Sequence, residues 1–174
     1  MAASLITLPG EIRNQIYRYL LLLPKPSTHR TLGDPPLHVN ILRTCRKLHQ
    51  EGLAILYGGN TFLAHVSLLT SLPRLRIYYA SVQTASLISL VTKWHVRVRL
   101  DNDPNFTKDQ ATQAFSGMDE LTIEVNQSQY GGSDYGALKL FEDVRGVKRA
   151  RVYGSITFFV EYAKWLEDVM MSES

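Results

Sequence analysis

The amino-acid sequence predicts an α/β protein in which an N-terminal helical module precedes strand–helix repeats that form a small parallel sheet. Before residue 58, apolar residues recur at three- and four-residue steps, which is typical of amphipathic helices. After residue 94, short segments of strict apolar–polar alternation are each followed by helical spacing. We therefore divide the chain into a helical module, residues 1–65, and a repeat region packed on it, residues 66–174.

Composition limits the class of protein. The chain has 174 residues, of which 45% are hydrophobic, as in globular proteins with a true core. Its single cysteine excludes a disulfide framework and a multi-cysteine zinc site. The first residues lack a basic leader, and the apolar run at residues 20–23 is too short to cross a bilayer. We expect a soluble intracellular protein, cytoplasmic and/or nuclear.

The first predicted helix starts near Pro9, a residue suited to the first helical position, and ends before Pro24 and Pro26. Glu11 places negative charge at its N-terminus, where the helix dipole favours it. One apolar stripe runs along this helix: Leu8, Ile12, Ile16, Tyr19, Leu20 and Leu23. Because so short a helix is unstable alone in water, the stripe must be buried against the chain or against a partner.

A polar, proline-rich connector over residues 24–38 leads to a second predicted helix, Asn40 to Tyr57. Asn40 is a suitable N-cap, and Gly58-Gly59 follows where a helix end favours glycine. The apolar positions of this helix are Ile41, Leu42, Cys45, Leu48, Leu53 and Leu56. We expect the two helices to pack on each other.

An ordered set of motifs runs through residues 5–65. It consists of Leu8-Pro9-x-Glu11-Ile12-Arg13, Ile16-Tyr17-x-Tyr19-Leu20-Leu21, Leu42-Arg43-x-Cys45-Arg46, Glu51 and Ile55-Leu56-Tyr57-x-x-Asn60-x-Phe62. This set resembles the F-box-like module common in filamentous-fungal proteins. The resemblance implies docking on the S-phase-kinase-associated adaptor of SCF (cullin–RING) ubiquitin ligases, with the C-terminal part holding a protein substrate. Lys47-Leu48-His49 stands where many F-boxes have a tryptophan after Cys-Arg.

The resemblance also implies a set of adaptor-binding residues: Leu8, Pro9, Ile12, Ile16, Tyr19 and Leu20. Within this set we expect Leu8, Pro9 and Ile12 to form an exposed docking edge, as in helix-in-groove recognition, while Ile16 and Leu20 face the second helix. The alternative is that the whole stripe serves core packing.

Residues 60–93 have a weaker pattern. Phe62 to Val66 predicts a short strand. Leu75–Tyr79 fits a strand and Ala85–Trp94 fits a helix, although short apolar runs are compatible with either structure.

Three alternating segments then predict strands at His95–Leu100, Leu121–Val125 and Ala150–Tyr153, with centres 25 and 29 residues apart. Helices are predicted between and after them. The first opens with a Thr107–Gln110 capping box, the second starts near Ser133 after a turn at residues 130–132, and the last is capped by Thr157. The residues expected to face inward from these helices are Ala111, Ala114, Phe115, Met118, Leu138, Phe141, Val144, Phe159, Tyr162, Ala163, Leu166, Val169 and Met170.

Strand–helix units at such a period predict a repeat architecture with parallel strands. Because the strands alternate, one sheet face is expected to be solvated, with all helices on the other. This arrangement is similar to leucine-rich-repeat solenoids, but it lacks their asparagine ladder and regular leucines.

The predicted solvated face offers a candidate substrate-binding surface: Arg97, Arg99, Glu124, Arg151 and Tyr153. Arg and Tyr are favoured at the energetic centres of protein interfaces. The alternative is that these side chains only solvate an exposed sheet.

Catalytic motifs are lacking. The chain has no phosphate-binding glycine loop, no G-x-S-x-G and no H-E-x-x-H, and its five histidines show no metal-ligand spacing. Cys45 and His49 lie one helical turn apart, but we interpret Cys45 as an apolar residue of the buried stripe. The sequence thus favours a protein that is not an enzyme and needs no cofactor or metal.

The leading functional hypothesis is a protein-interaction adaptor, an F-box-like substrate-recognition subunit of an SCF ubiquitin ligase. The alternative is a nucleic-acid-binding or non-ligase scaffold protein that uses the exposed sheet face. Residues 1–65 carry seven Lys/Arg against three Asp/Glu, and residues 66–174 carry twelve against thirteen. Since the repeat region is not basic and has few aromatic stacking platforms, nucleic acid is the less favoured partner.

Overall fold

The computed structural model describes residues 4–25, 35–127 and 135–173. In these ranges the chain is an α/β fold with a five-stranded sheet. Its helices are α1 (Gly10–Leu21), α2 (Arg46–Gly59), α3 (Ala85–Ile88), α4 (Lys108–Phe115), α5 (Gly136–Lys139) and α6 (Val160–Met171), with 3-10 helices at Leu5–Thr7 and Val39–Arg43. Its strands are β1 (Phe62–His65), β2 (Leu69–Arg74), β3 (Lys93–Arg99), β4 (Glu120–Asn126) and β5 (Arg149–Gly154).

The strand order is β2-β1-β3-β4-β5. β3, β4 and β5 are parallel neighbours in continuous register, so that Val96, Ile123 and Val152 lie side by side. The predicted parallel strands of the repeats are therefore confirmed. β1 adds a fourth parallel strand beside β3, and β2 forms an antiparallel hairpin with β1 at the sheet edge.

The two faces of the sheet differ as the alternation predicts. On one face Trp94, Ile123 and their strand neighbours are buried. Trp94 packs edge-on against Phe115 of α4, with ring centroids 6.1 Å apart, and Phe115 stacks on Phe141 at 6.0 Å. The other face carries the charged side chains, of which Arg97 and Arg151 are exposed. The helical side and the polar side thus follow from a period of two.

The inward residues predicted for the repeat helices are all buried or half-buried. Those that are fully buried are Ala111, Phe115, Leu138, Phe141, Val144, Phe159, Ala163, Leu166 and Met170. The Thr107–Gln110 capping box is present with both of its hydrogen bonds. The predicted cap at Thr157 is wrong, because α6 begins at Val160 with Phe159 in the N-cap position. The predicted turn at 130–132 and the helix start at Ser133 lie outside the described residues.

The predicted second helix from Asn40 is wrong in its first part. Residues 39–43 form a 3-10 helix, Cys45 is extended (φ −158°, ψ 164°), and α2 starts only at Arg46. The apolar spacing continues across this break, so periodicity could not reveal it. Gly58 and Gly59 are the last residues of α2 rather than a cap beyond it.

The first helix is present but turned about its axis relative to the prediction. Pro9 is the N-cap rather than the first helical residue. The buried side consists of Arg13, Tyr17 and Leu21, whereas Ile12 of the predicted stripe is exposed. The predicted stripe is therefore core-facing only in part: Leu20 and Leu23 pack against the core, and Ile12 does not. The polar atoms of the inward Arg13 and Tyr17 find their partner on α2.

Between residues 67 and 93 the structure also departs from the pattern. β2 ends at Arg74, and Leu75–Tyr79 is not a strand. Instead, the backbone turns so that Tyr79 N–H donates to the Arg76 carbonyl at 3.1 Å, and the buried Arg76 guanidinium donates to the Pro24 carbonyl. The predicted helix up to Trp94 shrinks to α3, and Trp94 belongs to β3.

One hydrophobic core connects the two parts of the chain. It runs from Tyr17 and Leu21 of α1 through Phe62 and Trp94 to Met170 of α6. Among the described residues, no helix combines the length and apolarity needed to cross a membrane.

Candidate partner-binding surfaces

A cluster of three polar side chains fastens α1 to α2. Arg13 donates through Nε to Glu51 Oε2 at 2.8 Å and through Nη2 to Glu51 Oε1 at 2.7 Å, which is a bidentate pair. Tyr17 Oη donates to Glu51 Oε2 at 2.8 Å. Arg13 Nη1 also donates to the Leu8 carbonyl. These contacts form what we call the clamp: Arg13, Tyr17 and Glu51.

The clamp is electrostatically matched. The hydrogen bonds from Arg13 and Tyr17 lower the pKa of Glu51 from 4.5 to about 2. Burial and the bond to Glu51 raise the pKa of Tyr17 from 10.0 to about 12. At neutral pH the cluster therefore contains a carboxylate, a guanidinium and a neutral phenol, each satisfied by the others.

A second polar residue, Asn60, holds the end of α1 against the end of α2. Its Nδ2 donates to the carbonyls of Leu21 at 2.7 Å and Leu56 at 2.8 Å, and its Oδ1 accepts the Leu23 N–H at 2.8 Å. The side chain is buried. Asn60 thus satisfies backbone groups that two helix ends leave unpaired.

These contacts leave one side of α1 open. Ile12 is 42% exposed and Tyr19 is 87% exposed, and Pro9 is also exposed. Leu8 and Ile16 are half-buried, and so is Leu20, which packs against the core. As expected, Pro9 and Ile12 are more exposed than Ile16 and Leu20, whereas Leu8 falls in the same half-buried class as those two. The residues Pro9, Ile12, Ile16 and Tyr19 form what we call the outer edge.

The second candidate surface is the polar face of the sheet. Arg97 on β3 lies opposite Glu124 on β4, which lies opposite Tyr153 on β5. Glu124 was expected to be exposed, but only 7% of it is, because His95 Nε2 (2.8 Å) and Arg97 Nε (3.0 Å) both contact its carboxylate. Glu124 therefore positions Arg97 rather than offering its own charge to a partner.

Burial and hydrogen bonding set the charge of this group. Burial lowers the pKa of His95 despite its hydrogen bond to Glu124, so the ring is neutral at pH 7. For Glu124, burial opposes ionisation, but the hydrogen bond from His95 and the charge of Arg97 outweigh it and lower the pKa. The carboxylate is therefore ionised beneath Arg97, and the neutral ring donates from Nε2.

The other predicted residues of this face are distributed along it. Arg99 pairs with Asp101 next to the C-terminal end of β3, at 2.8 Å and 3.1 Å. Arg151 lies over the ring of Tyr153, with Cζ 5.4 Å from its centroid. Arg97, Glu124, Arg151 and Tyr153 thus belong to one neighbourhood, and Arg99 lies at its border.

A cavity of about 570 Å³ opens on this face toward the N-terminal ends of the strands. Its lining residues are Lys25, Thr61, His95, Glu120, Thr122, Arg149, Ala150, Arg151, Tyr153 and Met171. Lys25 Nζ lies 2.6 Å from Glu120 Oε2, and Arg149 donates to Glu120 Oε1.

Three of the cavity's charged residues were not among the predicted site residues. Glu120 and Arg149 continue the alternation of β4 and β5 by one step toward the N-terminus, so a longer strand boundary would have included them. Lys25 approaches the sheet from the connector after α1, and no local pattern indicates that placement.

Cys45 and His49 have different contacts. Cys45 is half-buried at the N-cap of α2 and packs against the core. His49 Nδ1 lies 2.9 Å from the Leu42 carbonyl oxygen and so donates its proton there. Within the described ranges, no three His, Cys, Asp or Glu side chains are grouped to hold a metal ion.

When the chain was compared with protein-family models, curated proteins and solved structures, no match was found.

Proposed function

We propose that the protein is a protein-interaction adaptor, an F-box-like substrate-recognition subunit of an SCF ubiquitin ligase. The observation that carries the proposal is the outer edge of α1. Ile12, Ile16 and Tyr19 follow one another at four- and three-residue steps, so they line one side of the helix. Single exposed apolar residues are ordinary, but an apolar stripe on one helix is the feature that a partner's groove accepts.

The clamp supports this proposal because it explains how the edge stays free. Arg13, Tyr17 and Leu21 attach α1 to the rest of the chain. The exposed residues of the outer edge, Pro9, Ile12 and Tyr19, therefore remain available for a partner.

The motif residues that resemble the F-box-like module divide between these two roles. Arg13, Tyr17, Glu51 and Asn60 hold the helix pair together. Pro9, Ile12 and Tyr19 are exposed. A module that keeps its own structure with one set of residues and offers another set to a partner is what adaptor docking requires. We propose that the polar sheet face then holds the substrate by binding rather than by catalysis.

The test is calorimetric titration of the purified full chain with the S-phase-kinase-associated adaptor. Burying one large apolar side chain is worth about 1.5–3 kcal/mol. Ile12→Ala should therefore weaken binding by about one to two decades, with an unchanged melting temperature. Ile77→Ala is the matched control, since Ile77 has the same side chain and is more exposed (66% against 42% for Ile12) but lies outside the edge. It should leave the affinity unchanged.

The stability counterpart lies on the inward side of the same helix. Ile16 was expected to face α2, and truncation of a packed core side chain costs about 2–5 kcal/mol. In the structure Leu21, which is fully buried, takes that place, so Leu21→Ala should show that loss. Absence of adaptor binding by the unmutated chain at tens of micromolar would reject the ligase proposal and favour a non-ligase scaffold.

A further inference from the structure

We propose that the cavity on the polar sheet face binds an acidic peptide in extended conformation, with alternate Asp or Glu side chains facing Arg149 and Arg151. This proposal deepens the proposed function and rests on it in one respect, since the peptide would be the segment by which a substrate protein is held.

The charge of the cavity selects an anionic partner. Four cationic side chains, Lys25, Arg97, Arg149 and Arg151, lie in or beside it, against two carboxylates, Glu120 and Glu124. Both carboxylates are buried, at 5% and 7% exposure. The side chains of the cations reach outward, and those of Lys25 and Arg149 are more than two-thirds exposed. An approaching partner therefore contacts the cationic side chains first, because both carboxylates are buried.

Arg149 and Arg151 keep N–H groups that can donate to such a partner. A guanidinium has five N–H groups, and Glu120 engages Arg149 through Nη2. The described contact of Arg151 is with the ring of Tyr153, and a cation–π contact leaves N–H groups that a carboxylate can accept. Carboxylates bind guanidinium groups in a bidentate geometry that favours Arg over other cations.

The spacing of the arginines selects an extended peptide. Arg149 and Arg151 are two residues apart on β5 and point to the same face of the sheet. A strand rises about 3.3 Å per residue, so their Cα atoms are about 6.6 Å apart. An extended peptide presents its alternate side chains with the same repeat. An acidic–x–acidic sequence therefore matches this pair, whereas adjacent acidic residues point to opposite sides.

The lining of the cavity suits a peptide better than a nucleic acid. Thr61 and Thr122 offer hydroxyl groups that can both donate to and accept from a peptide backbone. Tyr153 is half-buried and already covered by Arg151, so it makes a poor platform for base stacking.

The test is fluorescence anisotropy of the full chain with a labelled peptide of alternating Glu and Ser. We expect saturable binding that weakens with salt. A peptide with Gln in place of Glu should not bind, and one with the same Glu and Ser residues in two separate blocks should bind more weakly. Arg151→Gln should weaken binding about tenfold. Arg46→Gln removes the same charge from an exposed site on α2 and should change nothing.

Four outcomes would overturn the proposal. They are no binding of the alternating peptide, equal binding of the Gln peptide, an equal loss with Arg46→Gln, and displacement of the peptide by a single-stranded oligonucleotide that binds more tightly. Melting temperatures of both variants establish that the fold is intact. The peptide is titrated without the adaptor and also against Ile12→Ala, which should bind it normally. Failure of adaptor docking and failure of the acidic site are thereby distinguished.

Discussion

The N-terminal helix pair and the strand–helix repeats are held together by different interactions. α1 is fastened to α2 by polar contacts, the clamp and Asn60, in addition to the fully buried Leu21. The repeats are joined by apolar contacts between one sheet face and its helices, such as Trp94 with Phe115. The inward side of α1 is partly polar, and Ile12 and Tyr19 stay exposed. On the sheet, alternation buries Trp94 and Ile123 on one face and leaves Arg97 and Arg151 exposed on the other. The two candidate surfaces therefore differ in chemistry: one is apolar and the other is cationic.

Two glycines show that the two regions also differ in how their elements come into close contact. At Gly52 of α2, a side chain would collide with Leu42, a flexible neighbour. At Gly154 of β5, where φ is +108°, a side chain would collide with the backbone carbonyl of Val125. A leucine side chain can move aside, but a strand backbone in register cannot. The close contact at Gly154 should therefore tolerate a side chain less well than the one at Gly52.

The largest effect is expected in the core of the repeats. Phe115 is fully buried between Trp94 and Phe141, so Phe115→Ala should lower the free energy of unfolding by about 3–5 kcal/mol. Phe158→Ala removes the same side chain where it is 86% exposed and should change stability by no more than about 0.5 kcal/mol. Urea denaturation of both variants measures the difference. Similar losses in both would contradict the apolar account of the repeats.

A smaller effect is expected in the clamp. Tyr17→Phe keeps the ring and removes the hydroxyl that donates to Glu51, so it should cost about 1.5–3 kcal/mol, as for hydrogen bonds to charged groups. Tyr19→Phe makes the same change two residues away on the exposed side and should cost almost nothing. Denaturation curves for this pair decide whether polar contacts hold the helix. If the two variants were equally stable, the clamp would not be what stabilises the helix pair.

The contrast also explains what the sequence could predict. Burial in β3, β4 and β5 depends on a local rule, the alternation of side chains, so strands, parallel order and the polar face follow from neighbouring residues. The inward face of α1 depends on Glu51, which lies 38 residues from Arg13. Hydrophobic periodicity assigns Arg13 and Tyr17 to solvent because it does not include that partner.

Two other features that the sequence did not predict also depend on distant parts of the chain. The strand β2 was not predicted. It contains Pro73, which is disfavoured inside a sheet but tolerated in an edge strand, and β2 lies at the sheet edge. The sequence predicted only some of the residues that line the cavity, because Lys25 contacts Glu120 from a position 95 residues away in sequence. Local patterns therefore predict the repeats and the position of their polar face, but not which helix side is buried or which distant cation completes a site.

The last contrast between the two regions depends on pH. The clamp holds the pKa of Glu51 at about 2 in the folded chain, against 4.5 for an unperturbed glutamate. A group whose pKa is lowered on folding stabilises the folded state above its unfolded pKa, and this contribution is lost as pH falls through the folded pKa. The clamp should therefore contribute fully at neutral pH and weaken between about pH 4.5 and 2.

Glu51→Gln isolates that contribution, because the amide cannot ionise. At pH 7 the variant should melt at a lower temperature than the unmutated chain, and the gap should narrow steadily as pH falls from 4.5 toward 2. Carboxylates elsewhere, such as Glu124, titrate in both proteins, so their effects cancel in the difference. Glu173→Gln, at an exposed position after α6, serves as the control and should follow the unmutated chain at every pH. A gap that stays constant down to pH 2 would mean that Glu51 acts through shape rather than charge, and the polar account of the helix pair would have to be abandoned.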